Sequence, residues 1–217
     1  EITLFTNKVI DKVNKWLFPK VAVVGGGIFG CTTAWKLAEN GYEVDLFEKN
    51  DDIMRQASNI NQYRLHRGYH YPRSKDTAVQ SQWGESIVNG DIKHYYCIAK
   101  EDSLVTAGEY KEFLNDMNLY YEEKNVNFVR KNVVDLTVEV KEFLFNPDKL
   151  RKICWNKLKK YNVNVVLNTE YVDSDYDYVI NATYANLNSL TPIDKKKDYQ
   201  FELCEKPVIK LPKKYKN

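Results

Sequence analysis

Short apolar runs alternate with amphipathic segments along the chain, a pattern that predicts alternating strands and helices. The run Lys20–Val24 carries no polar residue after the lysine and predicts a strand that is buried on both faces. Residues 28–40 have helical periodicity and end at Asn40-Gly41, a typical helix stop, and residues 43–48 form a second strand-like run. Together these elements predict a β-α-β unit.

A long polar segment then interrupts the alternation. Residues 49–75 are rich in Asn, Arg, Tyr and His and contain no apolar strand. An ordinary doubly wound fold would place its next helix and strand at this point. We therefore predict that this segment extends away from the β-α-β unit instead of adding a further helix and strand to its sheet.

The remaining patterns predict several further elements. We predict helices at 3–17, 76–90, 107–117 and 147–161. We predict strands at 94–99, within 127–140, at 163–167 and 176–182, and as a closing pair at 199–204 and 208–211. The strand at 176–182 has the composition of a fully buried strand. The helix at 3–17 has an apolar face that suits either docking on the domain or binding a partner.

Composition and charge exclude several classes of protein. The chain has 217 residues, enough for one large domain or two small ones, and 43% of them are apolar, which excludes global disorder. Its formal net charge of +2 gives no reason to expect binding to nucleic acid or to an anionic membrane. The sequence has no run of 18 apolar residues, so no membrane span is expected.

The spacing of cysteine and histidine predicts no metal site. None of the four cysteines forms a Cys-x-x-Cys pair; they are Cys31, Cys97, Cys154 and Cys204. This usage is typical of a reducing compartment, and we predict a cytoplasmic location. His66 and His70 are four residues apart, but Gly68 and Pro72 argue against a helix that would bring them together.

A glycine motif lies between the first predicted strand and the first predicted helix. The sequence from Gly25 to Gly30 reads G-x-G-x-x-G, in the context that makes this motif specific. Gly25 permits the tight turn, Gly27 lets backbone N–H groups approach a pyrophosphate, and Gly30 lets the helix pack closely on the sheet. Ile28 and Phe29 open the helix, whose unpaired N–H groups favour an anion. The motif predicts a dinucleotide site.

Glu48 supplies the acid that such a site requires. It ends the second predicted strand, 23 residues after Gly25. That spacing places its carboxylate at the ribose, where it accepts hydrogen bonds from the hydroxyl groups. Lys49 follows it and joins the expected cofactor contacts. These features alone leave FAD and NAD open.

The polar segment after Glu48 resembles a known family. Its matching parts are Ala57-Ser58, Asn61-Gln62 and Leu65-His66-Arg67-Gly68-Tyr69-His70-Tyr71. They are similar, position by position, to the FAD-dependent oxidoreductases grouped around D-amino-acid oxidase, glycerol-3-phosphate dehydrogenase and L-2-hydroxyglutarate dehydrogenase. The resemblance implies that FAD is the cofactor and that this segment runs along the flavin. The implied contacts are Ala57, Ser58, Asn61, Leu65, His66 and Gly68.

A second match lies far downstream. Asp177–Ala185 resembles the family's strand that returns to the FAD, which implies contacts from Ala182 and Thr183. Tyr184 stands where the family usually has Gly. Asn168–Tyr171 resembles the segment whose backbone reads the adenine, which implies a contact at Tyr171.

The resemblance also implies an architecture. We expect an α/β fold: a Rossmann-like FAD-binding domain of the glutathione-reductase type with an inserted mixed-sheet substrate domain. The predicted parts are an N-terminal helix at 1–18, a discontinuous FAD-binding domain at 19–90 and 147–190, and a substrate-domain portion at 91–146 and 191–217. Because the family usually has a further C-terminal portion, the fold is expected to be incomplete at its C-terminus.

The implied activity is oxidation of a small molecule. An FAD-dependent oxidoreductase of this kind takes a hydride from a C–H bond beside the amine or hydroxyl group of a small amino or hydroxy acid. Arg64, Arg67 and Arg73 are candidates to hold a substrate carboxylate, and His66 is a candidate to orient substrate or flavin. Two alternatives stay open: a truncated or non-catalytic FAD-binding protein that needs a partner chain, and an NAD-linked dehydrogenase.

Overall fold

The computed structural model describes residues 18–61, 63–82 and 94–201, together with Lys210 and Pro212. The predicted helix at 3–17, the end of the predicted helix at 76–90 and most of the predicted closing strands lie outside these residues. The described residues fall into two compact units. One lies within Glu1–Asn61 and Pro147–Lys206, and the other within Gln62–Asn146 and Pro207–Asn217.

The described residues contain nine strands and four α-helices. In chain order they are β1 (Lys20–Val24), α1 (Ile28–Glu39), β2 (Glu43–Phe47), β3 (Arg64–Leu65), α2 (Lys75–Gln82), β4 (His94–Ala99), α3 (Ala107–Asp116), β5 (Tyr121–Glu123), β6 (Val134–Val140), β7 (Phe143–Leu144), α4 (Pro147–Lys160), β8 (Asn164–Val166) and β9 (Tyr178–Asn181). Short 3-10 helices follow at Tyr184–Ser189 and Ile193–Lys195.

The first unit is built on a four-stranded parallel sheet in the order β8-β2-β1-β9. The middle of β1 has almost no exposure, since Val21, Ala22 and Val23 are at most 1% accessible. Burial on both faces explains the unbroken apolar run of this strand. α1 packs against β2 and α4 and buries Cys31 and Ala34. The predicted β-α-β unit and α/β fold are confirmed.

The last strand of this sheet differs from its prediction. The composition of residues 176–182 predicts a fully buried strand, but Tyr178 is 58% and Val179 is 41% exposed. Among the described strands, β9 has a single neighbour, β1, with Val21 opposite Tyr178. Its apolar side chains are exposed because the strand forms the edge of the described sheet.

The second unit is built on a three-stranded sheet in the order β4-β6-β5. Where a mixed sheet is expected from the sequence, the pairings described here are all antiparallel. β6 alternates between buried and half-buried positions, so one face covers a core and the other does not. That core also contains Tyr69, Ala78, Tyr110 and Phe113. The sequence pattern does not predict β5, a three-residue Tyr-Glu-Glu strand without apolar alternation.

Two features at the edges of the second unit fix its local structure. β3 pairs antiparallel with β7, with Arg64 opposite Leu144 and Leu65 opposite Phe143. The helix α3 begins with a capping box, in which Glu109 N–H donates to Thr106 Oγ1 and Thr106 N–H donates to Glu109 Oε2. The division between the units falls at residues 61 and 62, earlier than the position after residue 90 expected from the sequence, because Tyr69 and Ala78 lie in the second core.

None of the helices in the described ranges combines the length and hydrophobicity that a membrane span requires.

Candidate functional site

The glycine loop after β1 is closed by contacts that a side chain would block. Gly25 has φ +108, and its N–H donates to Phe47 O at 2.8 Å. A Cβ atom on Gly25 would lie 2.5 Å from Ala182 O, and one on Gly30 would lie 1.8 Å from Gly25 O. Both distances are shorter than atoms can approach without a shift of the backbone. Glycine is therefore required at the turn and at the point where α1 crosses it.

The first turn of α1 is arranged to face an anion. Gly27 is the N-cap, has extended backbone angles and offers no side chain to the N–H groups of the first turn. That turn contains no acidic residue, so no carboxylate of its own offsets the positive end of the helix dipole. Ser58 Oγ accepts from Ile28 N–H at 2.9 Å. Phe29 lies beside this site with 81% of its surface exposed.

Glu48 is a buried carboxylate that is anchored to the loop. It is 7% exposed, its Oε2 accepts from Gly26 N–H at 2.7 Å, and its Oε1 accepts from Asn50 N–H at 2.9 Å and from Asn50 Nδ2 at 2.6 Å. A carboxylate oxygen accepts about two hydrogen bonds, so Oε2 retains room for one more donor, such as a ribose hydroxyl. Lys49, by contrast, points to solvent.

The polar segment after Glu48 is fastened to α4 over the residues that precede the second unit. Met54 N–H donates to Gly26 O at 2.8 Å. Arg151 donates from Nε to Ile53 O at 3.2 Å and from Nη2 to Asn59 Oδ1 at 2.9 Å. Trp155 Nε1 donates to Asp52 Oδ1 at 2.9 Å. These bonds hold Ser58 in place against the first turn of α1.

The turn at the end of this segment closes on itself. Asn61 Nδ2 donates to Ala57 O and Ser58 O, each at 3.3 Å. Ala57 itself is exposed, whereas Ser58 and Asn61 are half-buried. The predicted contacts Ala57, Ser58 and Asn61 thus share one turn beside the glycine loop.

The downstream residues reach the same loop through β9. Ala182 N–H donates to Val24 O at 2.8 Å, and Thr183 Oγ1 donates to Asn181 Oδ1 at 2.7 Å. Tyr184 takes φ +54, a left-handed conformation in which glycine is favoured, and its side chain is 80% exposed. This conformation gives a physical reason for the glycine that the family usually has there.

Tyr171 packs against Phe47, the residue that precedes Glu48. Thr169 N–H donates to Glu48 O at 3.1 Å, which brings this strand end to the acid. The Tyr171 ring meets the Phe47 ring edge-on at 5.2 Å. Its hydroxyl is buried and has no hydrogen-bond partner within the described ranges.

Three of the candidates, Arg64, His66 and Arg67, lie around Glu142, an acid in the second unit that the sequence does not single out. The Glu142 side chain has no exposed surface. It forms an ion pair with Arg64, and it accepts from Arg67 N–H at 3.1 Å and from Tyr96 OH at 3.1 Å. His66 Nδ1 lies 3.8 Å from Glu142 Oε1, close enough for an ion pair when the ring is protonated. Leu65 and Gly68, two further predicted contacts, belong to the same segment.

Aromatic rings surround this acid. The Arg64 guanidinium lies 4.8 Å from the centre of the Tyr96 ring, and the His66 and His70 rings stack at 5.5 Å. Because Glu142 already pairs with Arg64, that arginine is committed to an internal partner. Arg67 is exposed, with its guanidinium 5.4 Å from the Phe143 ring. Of these two arginines, Arg67 is the better placed to meet a substrate carboxylate.

The charges of this cluster shift its protonation equilibria. Burial opposes ionisation of Glu142, but His66, the Arg67 N–H and the Arg64 guanidinium outweigh it and lower the pKa of Glu142 to about 2. Burial, followed by the charge of Glu142, raises the pKa of Tyr96. Burial and the nearby Arg64 lower the pKa of His94 despite the opposing charge of Glu142. Glu142 is therefore an anion at neutral pH, while His94 is neutral.

No local sequence pattern singles out Glu142, Arg151 or Trp155. The partners described above lie between 46 and 103 residues away, so no local spacing connects them. Within the described residues, no group of three His, Cys, Asp or Glu side chains is able to hold a metal ion. His66 and His70 stack on each other through their rings.

The chain matches the family described as FAD dependent oxidoreductase (DAO) over residues 20–213. It is 32% identical over 114 residues to an FAD-dependent monooxygenase of Fusarium mangiferae, which covers 48% of this chain and 30% of that protein. It is 48% identical over 58 residues to an FAD-dependent monooxygenase of Aspergillus flavus, which covers 27% of this chain and 14% of that protein.

Two solved structures are similar to this chain. L-α-glycerophosphate oxidase from Mycoplasma pneumoniae, solved with FAD bound, matches with a TM-score of 0.60 and 17% identity over 75% of this chain and 52% of that one. L-proline dehydrogenase from P. horikoshii matches with a TM-score of 0.55 and 19% identity over 82% of this chain and 57% of that one. At these identities the likeness shows a shared fold. The chain spans about half the length of these structures and less of the curated relatives.

Proposed function

Because this chain belongs to the DAO family of FAD-dependent oxidoreductases, we propose that it binds FAD and oxidises a C–H bond beside the amine or hydroxyl group of a small amino or hydroxy acid. The family is FAD-dependent, so the NAD-linked alternative is wrong. The residues 49–61 and 63–74 also lack the second β-α-β repeat that an NAD-binding domain would place there.

The observation that carries the proposal is the joint arrangement of the glycine loop and Glu48. Gly25 and Gly30 accept no side chain, and Gly27 supplies no side-chain cap to the first turn of α1. Glu48 Oε2 lies at Gly26 N–H with room for a further donor. We assign the pyrophosphate to Gly25, Gly27, Ile28, Phe29 and Gly30, and the ribose to Glu48.

The other assignments rest on the family resemblance, supported by local geometry. In this proposal Ser58 and Asn61 support the cofactor from the turn that they close, and Ala182 and Thr183 support it from the end of β9. Tyr171 contributes to the adenine side. Leu65, His66 and Gly68 contribute to the flavin.

When bound, FAD would supply the acceptor for the hydride, and the residues of this chain would bind and orient the substrate. We assign the substrate carboxylate to Arg67, because this residue is exposed whereas Arg64 is paired with Glu142. We assign His66 to orienting the substrate or flavin. Its Nδ1 lies 3.8 Å from Glu142 Oε1, so in this proposal the other ring nitrogen is the one that meets the substrate or flavin.

The similar structures and the exposed Arg67 support the proposed substrate class. The similar structures include proteins named as a glycerophosphate oxidase and a proline dehydrogenase. Their named substrates share an anionic group and an oxidisable C–H bond. An amino or hydroxy acid has both features.

The test is to purify the full chain, measure the FAD it retains, and add substrates without oxygen. Amino acids, hydroxy acids and glycerol phosphate should be tried in turn while the yellow flavin absorption is recorded. Bleaching by one of them supports the proposed activity. Bound FAD that none of them bleaches favours the non-catalytic alternative, and a chain that binds no FAD overturns the proposal.

A further inference from the structure

Glu142 occupies a defined place in the chain fold of the second unit. It lies between the last residue of β6, Val140, and the first residue of β7, Phe143. β7 pairs with β3, so Phe143 lies opposite Leu65. This pairing brings the Glu142 carboxylate to the residues that follow β3.

The carboxylate then holds both ends of a four-residue segment. Arg64 reaches it with its guanidinium at one end, and Arg67 reaches it with its backbone N–H at the other. His66 lies between these anchors, with Nδ1 at 3.8 Å. Tyr96 OH, from β4, donates to the same oxygen that binds Arg64. A single side chain thus restrains Arg64, His66 and Arg67 together.

Stability alone is a poor explanation for this arrangement. The Glu142 side chain is fully buried and that of Arg64 is 21% exposed. Transfer of two such charges from water is costly, and apolar residues of similar volume often stabilise a core as well or better. A carboxylate makes directional contacts with a cation and with an N–H group, which an apolar side chain is unable to make.

We propose that Glu142 is a positioning residue for the oxidation, which holds Arg67 and His66 in the orientation that the substrate requires. This inference rests on the proposed function. Glu142 touches neither substrate nor cofactor in this proposal, and it acts through the backbone of Arg67 and the ring of His66. The Glu142 partners named above all belong to the second unit, whereas the pyrophosphate and ribose contacts are proposed in the first.

The test variant is Glu142→Gln, which keeps the shape and one acceptor oxygen but removes the charge. Its matched control is Glu139→Gln near the end of β6, because Glu139 accepts from Tyr95 OH. For each full-length chain, we would measure the dissociation constant of FAD, the visible circular dichroism of the bound flavin and the anaerobic rate of flavin reduction per bound FAD.

The expected result separates positioning from folding. Glu142→Gln should retain FAD within about threefold of wild type, change the visible dichroism, and reduce its flavin about 10- to 100-fold more slowly, the scale of a misplaced contact. The Glu139→Gln chain should match wild type in all three. A purely structural role would lower thermal stability and leave the rate per bound FAD unchanged, which would overturn the inference.

A second variant covers the case in which the single substitution does not fold. Arg64→Gln with Glu142→Gln leaves no unpaired buried charge, so it should fold, and it should still reduce its flavin slowly. A wild-type rate in this double variant would overturn the inference alone. A wild-type chain that binds no FAD, or that no substrate reduces, would overturn the proposed function and this inference with it.

Discussion

The Oε2 atom of Glu48 accepts a hydrogen bond of 2.7 Å from the N–H group of Gly26. This contact joins the end of β2 to the loop after β1, and it fixes the acid in the site before any ligand binds. A glutamate side chain without this hydrogen bond would lose its conformational freedom when the ligand binds, at a cost of about 1 kcal/mol or more. The site is preorganised at this residue.

Replacing Glu48 should weaken FAD binding. Glu48→Ala removes the acceptor proposed for the ribose and leaves Gly26 N–H without its partner, so we expect a loss of about 1–3 kcal/mol in binding free energy. Titration of the apoprotein with FAD, followed by flavin fluorescence, measures this loss. Glu43→Ala at the exposed start of β2 is the control. Unchanged affinity in Glu48→Ala would remove the acid from the ribose.

Alanine at Gly30 should disrupt the first unit, whereas alanine at Gly108 should not. A Cβ at Gly30 would lie 1.8 Å from Gly25 O, and one at Gly108 would lie 3.9 Å from its nearest neighbour. We expect Gly30→Ala to destabilise the fold by more than about 3 kcal/mol and to abolish FAD binding. Gly108→Ala, inside α3, should stabilise by up to about 1 kcal/mol. Thermal unfolding of both variants measures the contrast, and equal melting temperatures would contradict it.

Stability should fall with acid in a window set by Glu142. Its pKa in the folded chain is about 2, below the ordinary value of 4.5, so the carboxylate contributes stability that is full above pH 4.5 and lost as the pH falls towards 2. The full effect is about 3 kcal/mol. Urea unfolding at pH 7 and pH 3 measures it in wild type and in Glu142→Gln. The variant should lose less stability across this window, and an equal loss in both would show that other groups control it.

Arg64 and Glu142 should be strongly coupled. Removing one partner of a buried pair leaves a lone charge, so Arg64→Met alone should cost about 3–5 kcal/mol. Arg64→Met together with Glu142→Leu should cost less than the sum of the two single substitutions, because no unpaired charge is left. A double-mutant cycle measures the coupling by urea unfolding. Additive costs would show that the pair contributes nothing.

Glycine at position 184 should stabilise the chain. Tyr184 has φ +54 and is 80% exposed, so Tyr184→Gly relieves backbone strain and loses little packing. We expect a gain of up to about 1 kcal/mol after the greater freedom of glycine in the unfolded chain is subtracted. Asn186→Gly is the control, since Asn186 has φ −95 and gains nothing from glycine. A lower melting temperature for Tyr184→Gly would contradict the expected gain.

Local patterns predict the first unit better than the second. Lys20–Val24, the glycine motif and Glu48 are adjacent in sequence and each carries a local signal, so their structure follows from spacing. Glu142 carries no such signal, because its partners are brought to it by the β3–β7 and β4–β6 pairings. The exposure of Tyr178 is also not predictable from the sequence, since the composition of a strand does not reveal how many neighbouring strands it has.

The strand order of the first sheet has a consequence for how the chain folds as it is made. β1 pairs with β2, which follows it closely in sequence, but its other neighbour is the distant β9. Lys20 N–H donates to Asp177, the residue before β9, which lies 157 residues later in the chain. Most of the second unit's described residues, 63–82 and 94–146, are synthesised in between. On a ribosome, β1 and β2 therefore emerge long before their other neighbours, β9 and β8, and such distant pairing is slow. The second unit is able to form first, whereas the glycine loop is completed only after Ala182 has been synthesised and its N–H donates to Val24 O.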